Sequence, residues 1–307
     1  MCFYGYKQEE LKRMQQTVLD IFDVFAAICE KYEIPYFANG GTAIGAVRHQ
    51  GYIPWDDDID VGMLREDYER FLQVAPGELA PAYEIIDGYH DENCPDYITR
   101  ISKIGTKQVS KEHTKYKVDN LGISMDIFPY DYVPEDPKLR KKQVRARDWY
   151  NRLHILWCIP NPGVTGKGVK GKILKAGCFA AHYFLRLFVS GSGIGRKHKQ
   201  ALMRYHNKTE LVTSMCDIQP EDWIVRLDEI FPLQELDFEG RKMKVMRCNH
   251  AMLTRGFGNY MEYPPVSERT NHRPEILDFG TETIHWEKTI ERKSTAPDSR
   301  QREKFGA

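Results

Sequence analysis

Apolar positions between residues 8 and 31 fall at Leu11, Met14, Val18, Ile21, Phe22, Phe25 and Ile28, the spacing of one helix face. Residues 34–38 form a short apolar run that ends at Gly40-Gly41 and reads as a buried strand followed by a turn. Residues 42–48 read as a helix stopped by Gly51 and Pro54. A strand is predicted over 59–63, a helix over 65–72, and strands over 83–89, 97–104 and 121–130. In the last of these Ile123, Met125 and Ile127 share one side, and Ser124 and Asp126 the other. An Arg- and Lys-rich helix is expected over 137–158 and a glycine-rich loop over 161–171. An apolar helix is expected over 172–189, carrying Lys172, Lys175 and Arg186, and a further helix over 197–216. Short strands follow between 230 and 245, then a proline-containing loop over 260–274. The last twenty residues are charged and poor in apolar anchors, which predicts a frayed tail. No internal repeat is visible.

Composition narrows the classes. With 307 residues, 41% hydrophobic and 12% aromatic, the chain can bury one large core or two modest ones. Lys plus Arg and Asp plus Glu both number 44, so nothing global points to a nucleic-acid partner. Seven scattered cysteines without a CxxC pair suit a reducing cytoplasm and argue against structural zinc. The first ten residues are polar, without a signal-peptide core, and no run of 18 uncharged apolar residues occurs, so no spanning helix is expected.

The candidate chemistry is concentrated in residues 39–62. Asp56, Asp57, Asp58 and Asp60 crowd into five positions. Carboxylates packed together cost several kcal/mol unless protons or cations compensate, and a divalent metal is the simplest compensator. If the segment is extended, Asp56, Asp58 and Asp60 share one face and Asp57 points away. Gly40 and Gly41 lie between a strand and a helix start, where free N–H groups can hold phosphate; an ordinary tight turn is the competing reading. Arg48, at the end of the short helix, either binds phosphate or complements the helix dipole. Arg100 and Lys103 face opposite ways on one strand, so one of them can reach the phosphates. Trp55, Phe128, Tyr130 and Tyr132 offer aromatic faces to a cationic head group, or are core residues. His113, His154, His182, His206, His250 and His272 show no paired metal-ligand spacing and read as surface or core residues. The 172–189 helix is expected to pack in the core or against a second copy. The alternative is contact with an anionic membrane through 172–199.

The run Gly40-Gly41-Thr42, Gly45-Ala46-Val47-Arg48-His49 and Gly51-Tyr52-Ile53-Pro54-Trp55-Asp56-Asp57-Asp58-Ile59-Asp60 closely resembles the LicD family, phosphorylcholine transferases of bacterial surface glycans grouped with fukutin and fukutin-related proteins. Gly122-Ile123-Ser124-Met125-Asp126-Ile127-Phe128-Pro129, Phe238-Glu239-Gly240, Gly258-Asn259-Tyr260-Met261, Pro264-Pro265 and Arg269 agree with it, so the likeness covers roughly 10–275; Asn259 stands where the family commonly has Asp. The resemblance implies an α+β chain of nucleotidyltransferase fold, related to DNA polymerase β, with a mixed sheet elaborated by additional helices. It divides the chain into a catalytic core over 1–135, a helical insertion over 136–220, a C-terminal part over 221–287 and a flexible tail over 288–307.

The same likeness makes Asp58, Asp60 and Asp126 the catalytic and metal-binding carboxylates, for Mg²⁺ or Mn²⁺. It makes Gly40, Gly41, Thr42, Arg48, Trp55 and Lys103 substrate-binding. The implied reaction moves phosphocholine, or a related group, from CDP-choline or another CDP donor to a hydroxyl of a sugar or polyol. That acceptor belongs to lipopolysaccharide, teichoic acid or capsule, is free or lipid-linked, and CMP leaves. The expected location is the cytoplasm, peripheral at the inner face of the plasma membrane. Competing readings are an Asp-x-Asp glycosyltransferase, a nucleotidylyltransferase and a non-catalytic binding module.

Overall fold

The computed structural model describes residues 2–3, 5–79, 81–110, 121–162, 168–280 and 283–285. His113, part of the expected glycine-rich loop and the expected tail lie outside them. The chain opens with a short ribbon, β1 (Cys2–Phe3) and β2 (Tyr6–Lys7), then α1 (Gln8–Lys31), β3 (Phe37–Ala38), α2 (Gly40–His49), β4 (Asp60–Leu64) and α3 (Arg65–Glu78). Next come β5 (Tyr83–Ile86), β6 (Thr99–Lys103), β7 (Lys107–Val109) and β8 (Ser124–Tyr132). Three helices follow: α4 (Pro137–Cys158), α5 (Gly168–Phe188) and α6 (Gly191–Leu202). The remainder holds β9 (Leu211–Ser214), β10 (Val225–Arg226), α7 (Leu227–Ile230), the hairpin β11 (Gln234–Phe238) and β12 (Arg241–Val245), α8 (Asn249–Phe257), β13 (Ile276–Asp278) and β14 (Thr283–His285). The fold is α+β with a mixed sheet.

The apolar stripe read along α1 is the buried one, and it supplies much of the main core. Phe25 meets Tyr36 at 5.0 Å and Phe71 of α3 at 5.1 Å between ring centroids. Strand β8 is the spine of the seven-stranded sheet. One of its edges pairs in parallel with β4, while its other edge pairs antiparallel first with β6 and then with β9. Beyond β4 lies β3, antiparallel. Ile123, Met125 and Ile127 are fully buried, which leaves Ser124 and Asp126 on the opposite, less buried face.

One sequence expectation requires correction. Residues 197–216 are not one helix: α6 ends at Leu202, Asn207 adopts a left-handed φ of 54°, and 211–214 join the sheet. A single residue in that region of backbone space is enough to turn the chain out of a helix. Hydrogen-bonded strand pairing begins at Asp60, and 56–59 precede it without a ladder partner among the described residues.

A buried ion pair joins α3 to β8, and a column of rings fastens α4 and α6 to the β5–β6 connection. The Arg65 guanidinium donates from Nε and Nη2 to the two oxygens of Asp131 on β8, both at 2.8 Å, and neither residue is exposed. Tyr97 stacks on Tyr89 at 4.5 Å, on His198 of α6 at 4.1 Å and on His154 of α4 at 4.6 Å. Burial lowers the His198 pKa to about 3, so it serves as a neutral ring that bonds the Tyr89 hydroxyl through Nδ1. Asp131→Ala leaves the buried Arg65 charge with the half-buried Glu69 as its ion-pair partner among the described residues, and is expected to cost about 3 kcal/mol in a urea melt. Replacing both partners (Arg65→Met with Asp131→Leu) should recover most of that loss; an undiminished loss would show that the pair matters for more than its charge.

Candidate active site

The start of α2 is tied to the start of β4. Asn39 donates its backbone N–H to the Asp60 carbonyl at 2.9 Å, and its Oδ1 accepts from the Tyr130 hydroxyl at 2.8 Å. The Thr42 hydroxyl accepts from the Asp60 N–H at 2.8 Å. Gly40 turns the chain into the helix with φ +50°, a region costly for other residues. A Cβ on Gly41 would stand 2.7 Å from Asp56 Oδ2, so only glycine lets that carboxylate lie against the first turn. Helix N–H groups and carboxylates therefore face a common space. The α2 N-terminus favours negative charge there.

Parallel pairing places Asp60 directly beside Asp126, and antiparallel pairing places Asp126 beside Arg100. The three side chains form a row across adjacent strands. Arg100 Nε lies 3.3 Å from Asp126 Oδ1, and Arg100 Nη1 also donates to both oxygens of Asp96 at 2.9 and 3.0 Å. One cation thus serves two acids. Burial, followed by the fields of Asp58, Asp126 and Asp56, holds Asp60 well above the usual carboxylate range. Burial and Asp58 do the same to Asp56, which shares a hydrogen bond with Asp58. Burial raises Asp126 to about 6 even though Arg100 opposes it.

Asp57 is fully buried at the edge of the cluster, accepting from the Tyr6 hydroxyl at 2.7 Å and from the His272 N–H at 2.9 Å. The His272 ring extends over the cluster, with Nδ1 2.8 Å from Asp58 Oδ2. That hydrogen bond keeps the imidazole protonated to about 9. Ligand atoms of Asp56, Asp57, Asp58 and His272 lie within 4.8 Å of one another. The donors are mostly hard carboxylate oxygens whose mutual repulsion is only partly offset by Arg100 and His272. That chemistry fits Mg²⁺ or Mn²⁺.

Among the residues singled out in the sequence, Asp58, Asp60, Asp126, Gly40, Gly41 and Thr42 converge here, joined by Asp56. Lys103 does not. It lies three residues from Arg100 on β6, hence on the other face of the sheet, and Arg100 is the cation that reaches the acids. Arg48 sits at the far end of α2, about 12 Å along the helix from Gly40. It donates to the carbonyls of Tyr260 at 2.5 Å and Glu262 at 3.2 Å, and lies 4.9 Å over the Tyr263 ring. Trp55 is buried, with the Arg269 guanidinium 4.6 Å over its face. Tyr130 and Tyr132 are buried and hydrogen-bonded, to Asn39 and Glu66. His272 was the residue missed. It lies more than 200 positions from its aspartate partners, so no local spacing could mark it.

A family model described as LicD/FKTN/FKRP, nucleotidyltransferase domain, matches residues 33–151, which contain the whole carboxylate row. The lipopolysaccharide cholinephosphotransferase LicD of Haemophilus influenzae is 30% identical over 279 residues, covering 87% of this chain and 97% of that protein. An uncharacterised Rickettsia typhi protein is 52% identical over 73 residues, 24% of this chain and 22% of the relative. The human ribitol 5-phosphate transferase FKRP is 37% identical over 51 residues, 17% of this chain and 10% of the relative. The chain belongs to the LicD family. It is accordingly an enzyme of the phosphotransferase class.

The raised Asp126 pKa gives a pH signature. An unfolded aspartate titrates near about 4, so between about 4 and 6 the folded protein binds the extra proton. Stability contributed at this site therefore falls as pH rises through that window and stays low above it. In chelator, the melting temperature of wild type minus that of Asp126→Asn should decline from pH 4 to 6 and then level. A difference that grows with pH would refute the repulsive account.

Proposed function

We propose that this enzyme transfers phosphocholine from CDP-choline, with Mg²⁺ or Mn²⁺ bound, to a hydroxyl of a cell-surface glycan precursor in the cytoplasm. The observation that carries the reading is the row Asp60, Asp126 and Arg100 beside the glycine-opened end of α2, in a chain similar over nearly its full length to a lipopolysaccharide cholinephosphotransferase. Transfer to a glycan hydroxyl is the coarser part of the reading and rests on that similarity and on the segment shared with ribitol 5-phosphate transferases. The scaffold would be of the nucleotidyltransferase type, as the family description has it.

Asp58, Asp60 and Asp126 would hold the metal, with Asp56 beside them. A metal there supplies charge neutralisation to the oxygens that enter and leave phosphorus. The first turn of α2, through Gly40, Gly41 and Thr42, offers backbone N–H groups to the donor phosphates. Arg100 holds Asp126 in place and limits its proton affinity. The acceptor hydroxyl forms the new O–P bond, its proton passes to Asp126, and the bond to CMP breaks. Trp55 and Arg48 act through their partners: Trp55 seats Arg269, and Arg48 fixes the 260–262 loop at the far end of α2. Because Arg269 covers the Trp55 face, that ring is better placed to orient a cation towards phosphate than to receive choline.

Release of CMP tests the reaction. With Mg²⁺ or Mn²⁺ and a glycan acceptor, CDP-choline should yield CMP and a phosphocholine-bearing product visible by ³¹P NMR; CDP-ribitol is the second donor to try. Asp58→Ala or Asp60→Ala should lower the rate by about a hundred- to a thousandfold while the protein stays folded. Pyrophosphate released from CTP, or turnover untouched by either substitution, would overturn the assignment.

A further inference from the structure

Helix α5 does not pack in the core, contrary to the sequence expectation. It rests on α4 through one narrow stripe. His182 Nδ1 meets the Leu156 carbonyl at 2.9 Å, the Trp157 indole donates to the Val189 carbonyl at 2.8 Å, and Arg186 lies 4.2 Å over the Trp157 ring. Only Gly171 and His182 of the helix are buried. The side turned away from α4 is apolar, with Val169, Ile173, Ala176, Ala180, Phe184 and Leu187 following one another at helical spacing. Val169, Ile173, Phe184 and Leu187 are between 61% and 76% exposed. A helix that leaves this much hydrocarbon facing solvent departs from an ordinary surface helix, whose outer side is polar.

Charge tells what covers it. Residues 137–209 contain seventeen Lys and Arg but a single acid, Asp148, in a chain whose total charge is zero. At about 100° per residue, Lys170 and Lys172 stand on opposite flanks of the apolar stripe. Cations that border an apolar helix face can extend outward and meet anionic head groups while the face enters the acyl boundary. A basic, apolar surface suits neither a like-charged second copy nor open water. No single helix among the described residues is long and apolar enough to cross a membrane.

We propose that α5 lies in the plane of an anionic lipid surface, apolar stripe inward and flanking lysines among the head groups. This surface is separate from the proposed reaction chemistry, and vesicle binding requires neither donor nor metal, so either idea can fail without the other. The test is cosedimentation of the full chain with vesicles of phosphatidylcholine alone or mixed with phosphatidylglycerol. Wild type should pellet with the mixed vesicles, less so at high salt. Ile173→Glu with Phe184→Glu, or Lys170→Glu with Lys172→Glu, should each weaken binding by about tenfold or more. These side chains are exposed, so the variants should melt as wild type does. Indifference to lipid charge, or to both double variants, would overturn the proposal. So would a wild-type dimer in sedimentation velocity that Ile173→Glu with Phe184→Glu dissolves without any vesicle uptake. Fluorescence of Phe184→Trp adds depth: quenching should be stronger from bromines near the lipid carbonyls than from bromines at the chain ends, and the opposite order would contradict an in-plane helix.

Discussion

Two carboxylates cannot be placed side by side under cover without a compensating charge, and the backbone of this protein forces that placement. Asp60 and Asp126 are partners in a parallel ladder, so their separation is fixed by strand spacing rather than by side-chain choice. The surroundings respond to that constraint. Arg100 completes the row from the next strand, His272 reaches over Asp58, and the amide end of α2 is brought close by glycines that leave room for Asp56. Each supplies part of a positive charge, yet the acids are still pushed towards protonation. The residual deficit is what suits the cluster to the divalent cation proposed above rather than to a network of structural ion pairs. The contrast lies within the molecule: Arg65 and Asp131, one to one and bidentate, close a buried pair with nothing left to bind.

The rigidity of the row comes from the layers behind it. Helix α1 and the ring contacts of Phe25, Tyr36 and Phe71 back the sheet. The hydrogen bonds from Asn39 to Asp60 and from Asp60 to Thr42 leave the α2 start little freedom relative to β4. Loop 260–274 closes the other side, held by Arg48 at Tyr260 and Glu262 and by His272 at Asp57. Preorganised charge of this kind avoids reorganisation during transfer.

Much of this was legible in the chain. The stripe of α1, the strand at 59–63 within one residue, and the orientation of Asp126 away from Ile123, Met125 and Ile127 follow from periodicity alone, because those elements bury one face. Segments whose form is decided elsewhere were not legible. Residues 211–214 read as part of the helical run before them, and pair with β8 as a strand. Helix 249–257 carries too few apolar positions to announce itself. His272 reached the acids through folding alone, and Lys103 and Arg100 could be separated only once the register with β8 was known. The apolar character of α5 is legible in the sequence but its exposure is not, since a hydrophobic helix gives the same pattern in a core and at a surface.

The central claim is that paired strands create a deficit of positive charge that a divalent cation fills. Calorimetric titration of Mn²⁺ into chelator-treated protein at pH 7.5 tests it most directly, with wild type compared against Asp60→Asn and Asp126→Asn. The account predicts binding to wild type and at least about a tenfold loss of affinity in each variant. Equal affinity in all three proteins, or no binding to any of them, would contradict it.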